Sequence, residues 1–196
     1  MRISRLSVLL ATTLLLACGK PPAFNATDLT GTEIGSASLT QVLKDQTGKP
    51  RKLSDFHGKV VVIFFGFTQC PDVCPTVLGK MREVMTLLGA DADKVQVVLI
   101  TIDPERDTQE LLAQYLPAFH PSFLGFYGDA TATAMVAKDF KIFYQKQPGK
   151  TPGSYTMDHS SGSYVLDAKG KLRLYLKHED TAPMIAQDIK RLLEER

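Results

Sequence analysis

The chain has 196 residues, of which 44% are hydrophobic and 22% are charged, a composition typical of one globular domain. The formal net charge is +2. Arg2 and Arg5 lie in an N-terminal leader, so the rest of the chain is near neutral. The sequence contains no basic cluster of the kind that binds nucleic acid, and no stretch after the leader is long and apolar enough to cross a membrane.

The N-terminus has the pattern of an export signal. Its positive start precedes an apolar run over residues 6–16. This run ends at Leu15-Leu16-Ala17-Cys18-Gly19, which resembles the lipobox of bacterial lipoproteins. The resemblance implies that Cys18 is lipidated and becomes the mature N-terminus, and that the protein faces the periplasm or the outer side of a bacterial membrane. Simple secretion and an uncleaved anchor stay open as alternatives.

Three regions follow from this pattern. We predict a lipoprotein signal peptide over 1–17, a flexible tether over 18–36 and a folded domain over 37–196. The tether is expected because residues 20–36 are rich in Pro, Gly, Thr and Asn.

The first half of the predicted domain alternates strands with one helix. Residues 39–54 predict a β-hairpin with a polar turn at Asp45-Gln46-Thr47-Gly48. Continuous apolar runs at 59–67 and 94–102 are typical of strands buried on both faces. Between them, apolar residues at helical spacing predict an amphipathic helix over 76–88.

The second half continues the alternation. We predict a helix capped at Asp107-Thr108 that runs to about residue 119, and a helix over 129–140. The helix over 181–195 takes Pro183 in its first turn. Short strands are predicted at 123–127 and 141–145, a loop over 148–158, and a hairpin from 162–167 and 171–177. The order predicts an α/β fold, with a mixed central sheet flanked by helices, an N-terminal hairpin and a C-terminal hairpin plus helix.

Two cysteines stand where the first buried strand ends and a helix begins. If Cys18 carries lipid, Cys70 and Cys74 remain as a pair in an oxidising compartment, where they form a disulfide, a redox couple or a metal site. A spacing of four residues on a helical turn places both sulfurs on one side. The helix dipole favours thiolates there. Two thiolates suit Cu(I), Zn(II) or an iron–sulfur cluster, and a closed site needs a further ligand.

A histidine is the natural candidate for that ligand. His57, His120 and His178 lie in polar turns or at a helix end and are predicted to be solvated surface residues. His159 stands in a predicted loop directly before a strand, where α/β folds keep functional groups. Position alone makes it a candidate and no more.

Three segments together resemble the SCO/SenC family. They are residues 59–75 with both cysteines, Thr101-Ile102-Asp103-Pro104-Glu105-Arg106-Asp107-Thr108, and Asp158-His159-Ser160. The resemblance spans nearly the whole mature domain. It implies a thioredoxin-like fold and a copper chaperone for the binuclear copper centre of cytochrome c oxidase. It also implies that Cys70, Cys74 and His159 bind copper.

The residues around this candidate site have ordinary structural explanations as well. Asp72 could tune the site or meet a partner, although a helix-start acid favoured by the dipole explains it too. Asp158 could orient the imidazole of His159. Arg106 is expected to pair with a nearby carboxylate. Met81 and Met85 fit core packing better than copper ligation.

The interpretation is a metallochaperone rather than an enzyme with a small-molecule substrate. The expected partners are the copper-site subunit of a respiratory oxidase and a membrane that holds the lipid. Copper, as Cu(I) or Cu(II), is held only when both thiols are reduced. The main alternative is a thiol–disulfide reductase that keeps the oxidase copper-site cysteines reduced, using Cys70 and Cys74 without His159. A peroxidase and a purely structural lipoprotein are further alternatives.

Overall fold

The structure is a computed structural model that describes residues 23–195. Its ten strands are β1 (Thr27–Asp28), β2 (Leu43–Asp45), β3 (Pro50–Arg51), β4 (Val60–Gly66), β5 (Val95–Thr101), β6 (Leu124–Tyr127), β7 (Tyr144–Pro148), β8 (Tyr155–His159), β9 (Ser163–Leu166) and β10 (Leu172–Leu176). Its four α-helices are α1 (Val73–Leu88), α2 (Gln109–Tyr115), α3 (Ala130–Asp139) and α4 (Ala182–Glu194). In this part of the chain, no helix combines the length and the apolar character needed to span a bilayer.

Eight strands form one mixed sheet in the order β1-β10-β9-β4-β5-β6-β2-β3. Strands β4, β5 and β6 are parallel, whereas β9 runs antiparallel to β4. Every residue of β4 and of β5 is buried, as their continuous apolar sequences predict. The two remaining strands, β7 and β8, pair only with each other and form a separate antiparallel hairpin.

The helices flank the sheet and bury one apolar side each. Along α1, the buried positions recur at helical spacing from Val77 to Leu88, and α1 packs against α4. The side chains of Thr108 and Asp129 accept the N–H groups of Leu111 and Ala132 and so cap α2 and α3. The predicted α/β fold with a mixed sheet and two hairpins is confirmed.

The N-terminal boundary of the fold needs a correction. The sequence assigns 18–36 to a flexible tether, yet Thr27–Asp28 is an edge strand paired with β10. The buried carboxylate of Asp188 on α4 accepts the backbone N–H groups of Asn25 and Ala26 at 3.0 and 2.8 Å. These bonds satisfy a charge that would otherwise be buried without partners, so this segment lies against the domain. Residues 1–22, with the predicted signal peptide and Cys18, lie outside the described residues.

The region from 141 to 160 also differs from the prediction. Strand β7 begins at Tyr144 and not at residue 141, and the last four residues of the predicted loop over 148–158 belong to strand β8. Of the ten strand residues of this hairpin, Met157 alone is buried. The sequence of the β7–β8 hairpin therefore lacks the alternating apolar pattern by which half-buried strands are recognised.

Candidate metal centre

Three chain segments meet at one edge of the sheet. Strand β4 ends at Gly66 and leads into α1, and the parallel strand β5 ends beside it at Thr101. Strand β9 begins at this edge because it is antiparallel to β4, with Ser163 opposite Phe64. The carboxyl ends of β4 and β5 and the amino end of β9 thus bring Cys70, Cys74 and His159 together.

The two thiols lie in the connection from β4 to α1 and in the first turn of this helix. Helix α1 begins at Val73, three residues before its predicted start, so Cys74 belongs to the helix and Pro75 follows within its first turn. The N–H of Cys74 donates to Cys70 Sγ at 3.3 Å. Both cysteines are free thiols, Cys70 partly exposed and Cys74 buried. Burial, together with the neighbouring Cys70 sulfur, raises the pKa of the Cys74 thiol.

Gly66 makes room for the buried thiol. A side chain at this position would lie 3.0 Å from Cys74 Sγ and would collide with the Phe64 ring. The end of β4 therefore needs a residue without a Cβ if Cys74 is to point at the sheet edge.

His159 completes the group from the end of β8. Its Nε2 lies 3.8 Å from Cys74 Sγ, and its Nδ1 lies 2.8 Å from the carbonyl oxygen of Ser160. A carbonyl only accepts, so Nδ1 carries the hydrogen and Nε2 presents its lone pair to the thiols. The Phe67 ring lies edge-on to the imidazole at 5.9 Å. Burial lowers the pKa of His159, which favours the neutral form that binds metals.

The ligand atoms of Cys70, Cys74 and His159 all lie within 4.8 Å of one another. Bonds of about 2.0–2.3 Å from each atom to a shared ion require separations of roughly 4 Å. Small side-chain rotations would therefore allow all three atoms to bind one ion. Within residues 23–195, this is the one group of three or more His, Cys, Asp or Glu side chains so placed.

An open pocket of about 360 Å³ leads to this group. Its walls come from the segment around the cysteines and from strand β8, and they include Phe67, Pro71 and Met157. The exposed carboxylates of Asp72 and Asp158 also line it. Because the pocket is open to solvent beside Cys70 and His159, an incoming group could reach a bound ion directly.

The two acids predicted near the site play smaller parts than the cysteines and the histidine. Asp72 is the N-cap residue of α1, but its side chain makes no capping hydrogen bond. Asp158 does not orient the imidazole, because Ser160 holds Nδ1 instead. In a strand, successive side chains point to opposite faces, and Asp158 is exposed while Met157 is buried. Its charge only opposes the lowering of the pKa of His159.

The three histidines predicted to lie at the surface are not part of this group. His57 and His178 are exposed, and His120 contacts Ser122 through Nδ1 at 2.8 Å. None of the three belongs to the group of metal-ligating atoms.

Two buried acids that follow β5, Asp103 and Asp107, bind residues around the site, a role that the sequence did not predict. Asp107 accepts hydrogen bonds from the backbone N–H of Thr68, from the Thr68 hydroxyl and from the Thr101 hydroxyl. It thereby ties the cysteine segment to β5, and burial raises the pKa of its carboxyl. Asp103 pairs with Arg106, as expected, and also accepts the Tyr155 hydroxyl at 2.7 Å. The signal that could have found them is the pair of acids at 103 and 107, within six residues of the end of a buried strand.

The fold and the site define a thioredoxin-like α/β protein with a dithiol–imidazole group at the carboxyl ends of its parallel strands. The SCO1/SenC family model matches residues 30–194. The chain therefore belongs to the SCO1/SenC family.

Individual relatives agree with this assignment. The chain is 43% identical to the SCO2-like protein of Rickettsia felis over 137 residues, which are 69% of this chain and 65% of that protein. It is similar to copper-bound ScoI of Bradyrhizobium japonicum, with 41% identity, a TM-score of 0.72, and coverage of 78% of this chain and 96% of that one. A SCO1/SenC family lipoprotein of Bacillus anthracis has a TM-score of 0.67 at 27% identity, covering 77% of this chain and 91% of the other.

Proposed function

We propose that this protein binds copper through Cys70, Cys74 and His159 and delivers it to the binuclear copper centre of a cytochrome c oxidase during assembly. The observation that carries the proposal is the convergence of two thiol sulfurs and an imidazole Nε2 within 4.8 Å beside an open pocket. Thiolates select soft Cu(I), and imidazole also suits copper. The similarity to a ScoI protein whose structure holds copper supports the choice of metal.

The site suits copper transfer because it offers few protein ligands and is open to solvent on one side. Cys74 lies buried in the first turn of α1 and the Ser160 carbonyl holds His159, whereas Cys70 is partly exposed and lines the pocket. An acceptor's ligands can therefore approach from the side of Cys70 and replace the protein's ligands one at a time. Copper binds the deprotonated thiols. A Cys70–Cys74 disulfide has no thiolate to offer, so the oxidised pair cannot hold the metal.

Copper titration of the full-length, reduced protein tests the binding step. We expect one copper per chain. Substitution of any of the three ligands by Ala should weaken binding by more than about 100-fold, beyond the 10- to 100-fold loss typical of residues that only support a ligand. The matched control is His178→Ala, because His178 is exposed and does not belong to the group of ligand atoms. Full copper affinity in His159→Ala would contradict the three-ligand site.

The delivery step needs a separate measurement. Copper-loaded protein is mixed without oxygen with the metal-free copper domain of an oxidase, the two proteins are separated, and the copper in each is measured by atomic absorption. We expect transfer from the wild type. An acceptor that stays empty while the protein keeps its copper would contradict the chaperone function and leave copper binding intact.

We also propose that a lipid on Cys18 holds the domain at a membrane, on the periplasmic or outer side. The support is the Leu15-Leu16-Ala17-Cys18 sequence and the similarity to a family member described as a lipoprotein. Fatty-acid labelling of the expressed protein should mark the wild type and not Cys18→Ser. Equal labelling of both would overturn this anchor.

Thiol–disulfide reduction is the second candidate function. The observation that favours it is the partly exposed Cys70 sulfur, which accepts the N–H of Cys74 and lies beside a second thiol. Cys70 would attack a substrate disulfide and expel one substrate thiolate. Cys74 would then displace the other, leaving a Cys70–Cys74 disulfide that an external thiol must reduce. Metal-free His159→Ala should keep this activity, because the imidazole is not needed for it.

A further inference from the structure

The imidazole of His159 reaches the site on an element that the main sheet does not hold. Strands β7 and β8 bond to each other through the pairs from Tyr144–His159 to Pro148–Tyr155, and they form their own two-stranded sheet. An isolated two-stranded hairpin is marginally stable in water. The position of His159 relative to the thiols therefore depends on side chains that fasten this hairpin to the rest of the domain.

Three side chains that contact one another attach the hairpin to the segment after β5. The Tyr155 hydroxyl donates to Asp103 Oδ1 at 2.7 Å, and Arg106 donates to Asp103 Oδ2 through Nε. Arg106 also donates from Nη1 to the Tyr155 carbonyl at 2.8 Å, and its guanidinium carbon lies 3.6 Å from the centre of the Tyr155 ring. Each of the three residues thus contacts the other two. We call Asp103, Arg106 and Tyr155 the clamp.

The clamp is built to be rigid. The side chain of Asp103 is 1% exposed, and that of Arg106 is 19% exposed. A planar guanidinium that forms a stack and several hydrogen bonds fixes its partners in both distance and angle. The neighbouring Lys146–Glu105 ion pair joins the same segments, but both of its side chains are exposed, so it is expected to contribute little.

The clamp also reaches the cysteine side of the pocket. Arg106 donates to Gln69, the residue before Cys70, at 3.1 Å, and its guanidinium lies 5.7 Å from the centre of the Phe67 ring. The same Phe67 ring contacts the imidazole of His159 edge-on. Arg106 therefore touches both walls between which the ligand atoms lie.

Strand geometry connects the clamp to the imidazole. Tyr155 and His159 stand at the two ends of β8, four residues apart, and alternate residues of a strand share one face. Between them on that face, Met157 is buried in the core. A fixed Tyr155 therefore sets which way the far end of β8 points.

We propose that the clamp of Asp103, Arg106 and Tyr155 positions the His159 imidazole against the two thiols and so sets the preference between Cu(II) and Cu(I). The metal preference rests on the proposed copper function, whereas the position of the imidazole does not. Two thiolates supply much of the binding of soft Cu(I), whereas Cu(II) depends more strongly on the imidazole nitrogen. These are positioning residues, because they act through His159.

The test uses two variants of different severity in the full-length chain. Tyr155→Phe removes only the hydroxyl that reaches Asp103, and Arg106→Gln removes the stacked guanidinium. The matched control is Tyr144→Phe, since Tyr144 lies directly opposite His159 in the hairpin and its hydroxyl makes no hydrogen bond within residues 23–195. Thermal unfolding of each variant verifies that it folds.

The first readout is nitrogen NMR of the His159 side chain in reduced, metal-free protein. The wild type and Tyr144→Phe should show one tautomer, with hydrogen on Nδ1. Both clamp variants should show averaged tautomers, because the imidazole no longer stays beside the Ser160 carbonyl. A His159 signal unchanged in both clamp variants would overturn the proposal, whether or not the protein binds copper.

The second readout is copper affinity in a double-mutant cycle. Arg106→Gln should weaken Cu(II) binding about 10- to 100-fold, as loss of a residue that orients a ligand does, and weaken Cu(I) binding by a smaller factor. In a His159→Ala background it should have no further effect. Equal losses with and without His159 would contradict action through the imidazole. A wild type that binds no copper at all would contradict the proposed function, while the NMR result still decides the position of His159.

Discussion

At the scale of single residues, the two cysteines of the site have different environments. Cys74 lies in the core beneath Gly66, and burial raises the pKa of its thiol. Cys70 lines the open pocket, and its sulfur accepts the N–H of Cys74. Because the thiolate is the reactive form and must also be reached, the pair has one accessible nucleophile and one protected partner.

We therefore predict that an alkylating reagent modifies Cys70 before Cys74 in reduced, metal-free protein. The rates should differ by at least about 10-fold, because Cys70 is partly exposed, whereas Cys74 is buried and its pKa is raised by that burial. Peptide mapping by mass spectrometry after brief iodoacetamide treatment measures the order. In Cys70→Ser, Cys74 should react quickly only after the protein is unfolded in denaturant. Equal rates in the folded wild type would contradict the assignment.

At the scale of elements, one carboxylate organises the hairpin of β2 and β3. Asp45 is buried, and it accepts the N–H groups of Thr47 and Lys49 through Oδ1 and the Arg51 guanidinium through Oδ2. Gly48 supplies the left-handed backbone of the turn, with φ at 81°. Burial by itself would raise the pKa of Asp45, but the hydrogen bonds from Thr47, Arg51 and Lys49 outweigh it and lower the pKa.

The sign of this shift gives a pH-dependent prediction. The pKa of Asp45 is lower in the folded chain than its ordinary value of 3.8, so the charged carboxylate stabilises the fold above about pH 4. This contribution is lost as the pH falls through the folded pKa. Asp45→Asn should lower the free energy of unfolding by about 1–3 kcal/mol at pH 7, and the difference from wild type should shrink below pH 4. Urea unfolding at several pH values measures it, and a constant difference would contradict the prediction.

At the scale of the whole molecule, the candidate copper site exists only in the folded chain. Cys74 and His159 are 85 residues apart in sequence, and they meet because β9 returns antiparallel beside β4. An unfolded chain has no such group, so copper binds the folded state preferentially and couples its own binding to folding.

Copper should therefore raise the thermal stability of the protein. At a free copper concentration 100 times the Kd, the folded state gains about 2.7 kcal/mol. For a domain of this size, this gain corresponds to a rise in Tm of roughly 5–10 °C. Differential scanning fluorimetry of reduced protein, with Cu(I) held by a competing chelator, measures the shift. Cys74→Ala should show none, and an equal rise in that variant would mean that copper acts elsewhere.

Much of this molecule is determined by local sequence. The runs at β4 and β5 predict buried strands because they are apolar without interruption, and α1 follows from apolar residues at helical spacing. Cys70 and Cys74 are four residues apart at a helix start, so their proximity is nearly a property of the sequence. His159 became more than a candidate only through the family resemblance.

The tertiary structure decided what depends on distant partners. Strand β8 and the N-terminal strand β1 have no apolar alternation of their own, and they form because β7 and β10 supply their hydrogen-bonding partners. The orientation of the imidazole was likewise beyond the sequence, which offered Asp158 as a candidate partner, whereas the Ser160 carbonyl holds the ring. Local patterns encode which residues are buried and whether a segment forms a helix or a strand. Contacts between segments far apart in sequence fix where the ends of those segments meet.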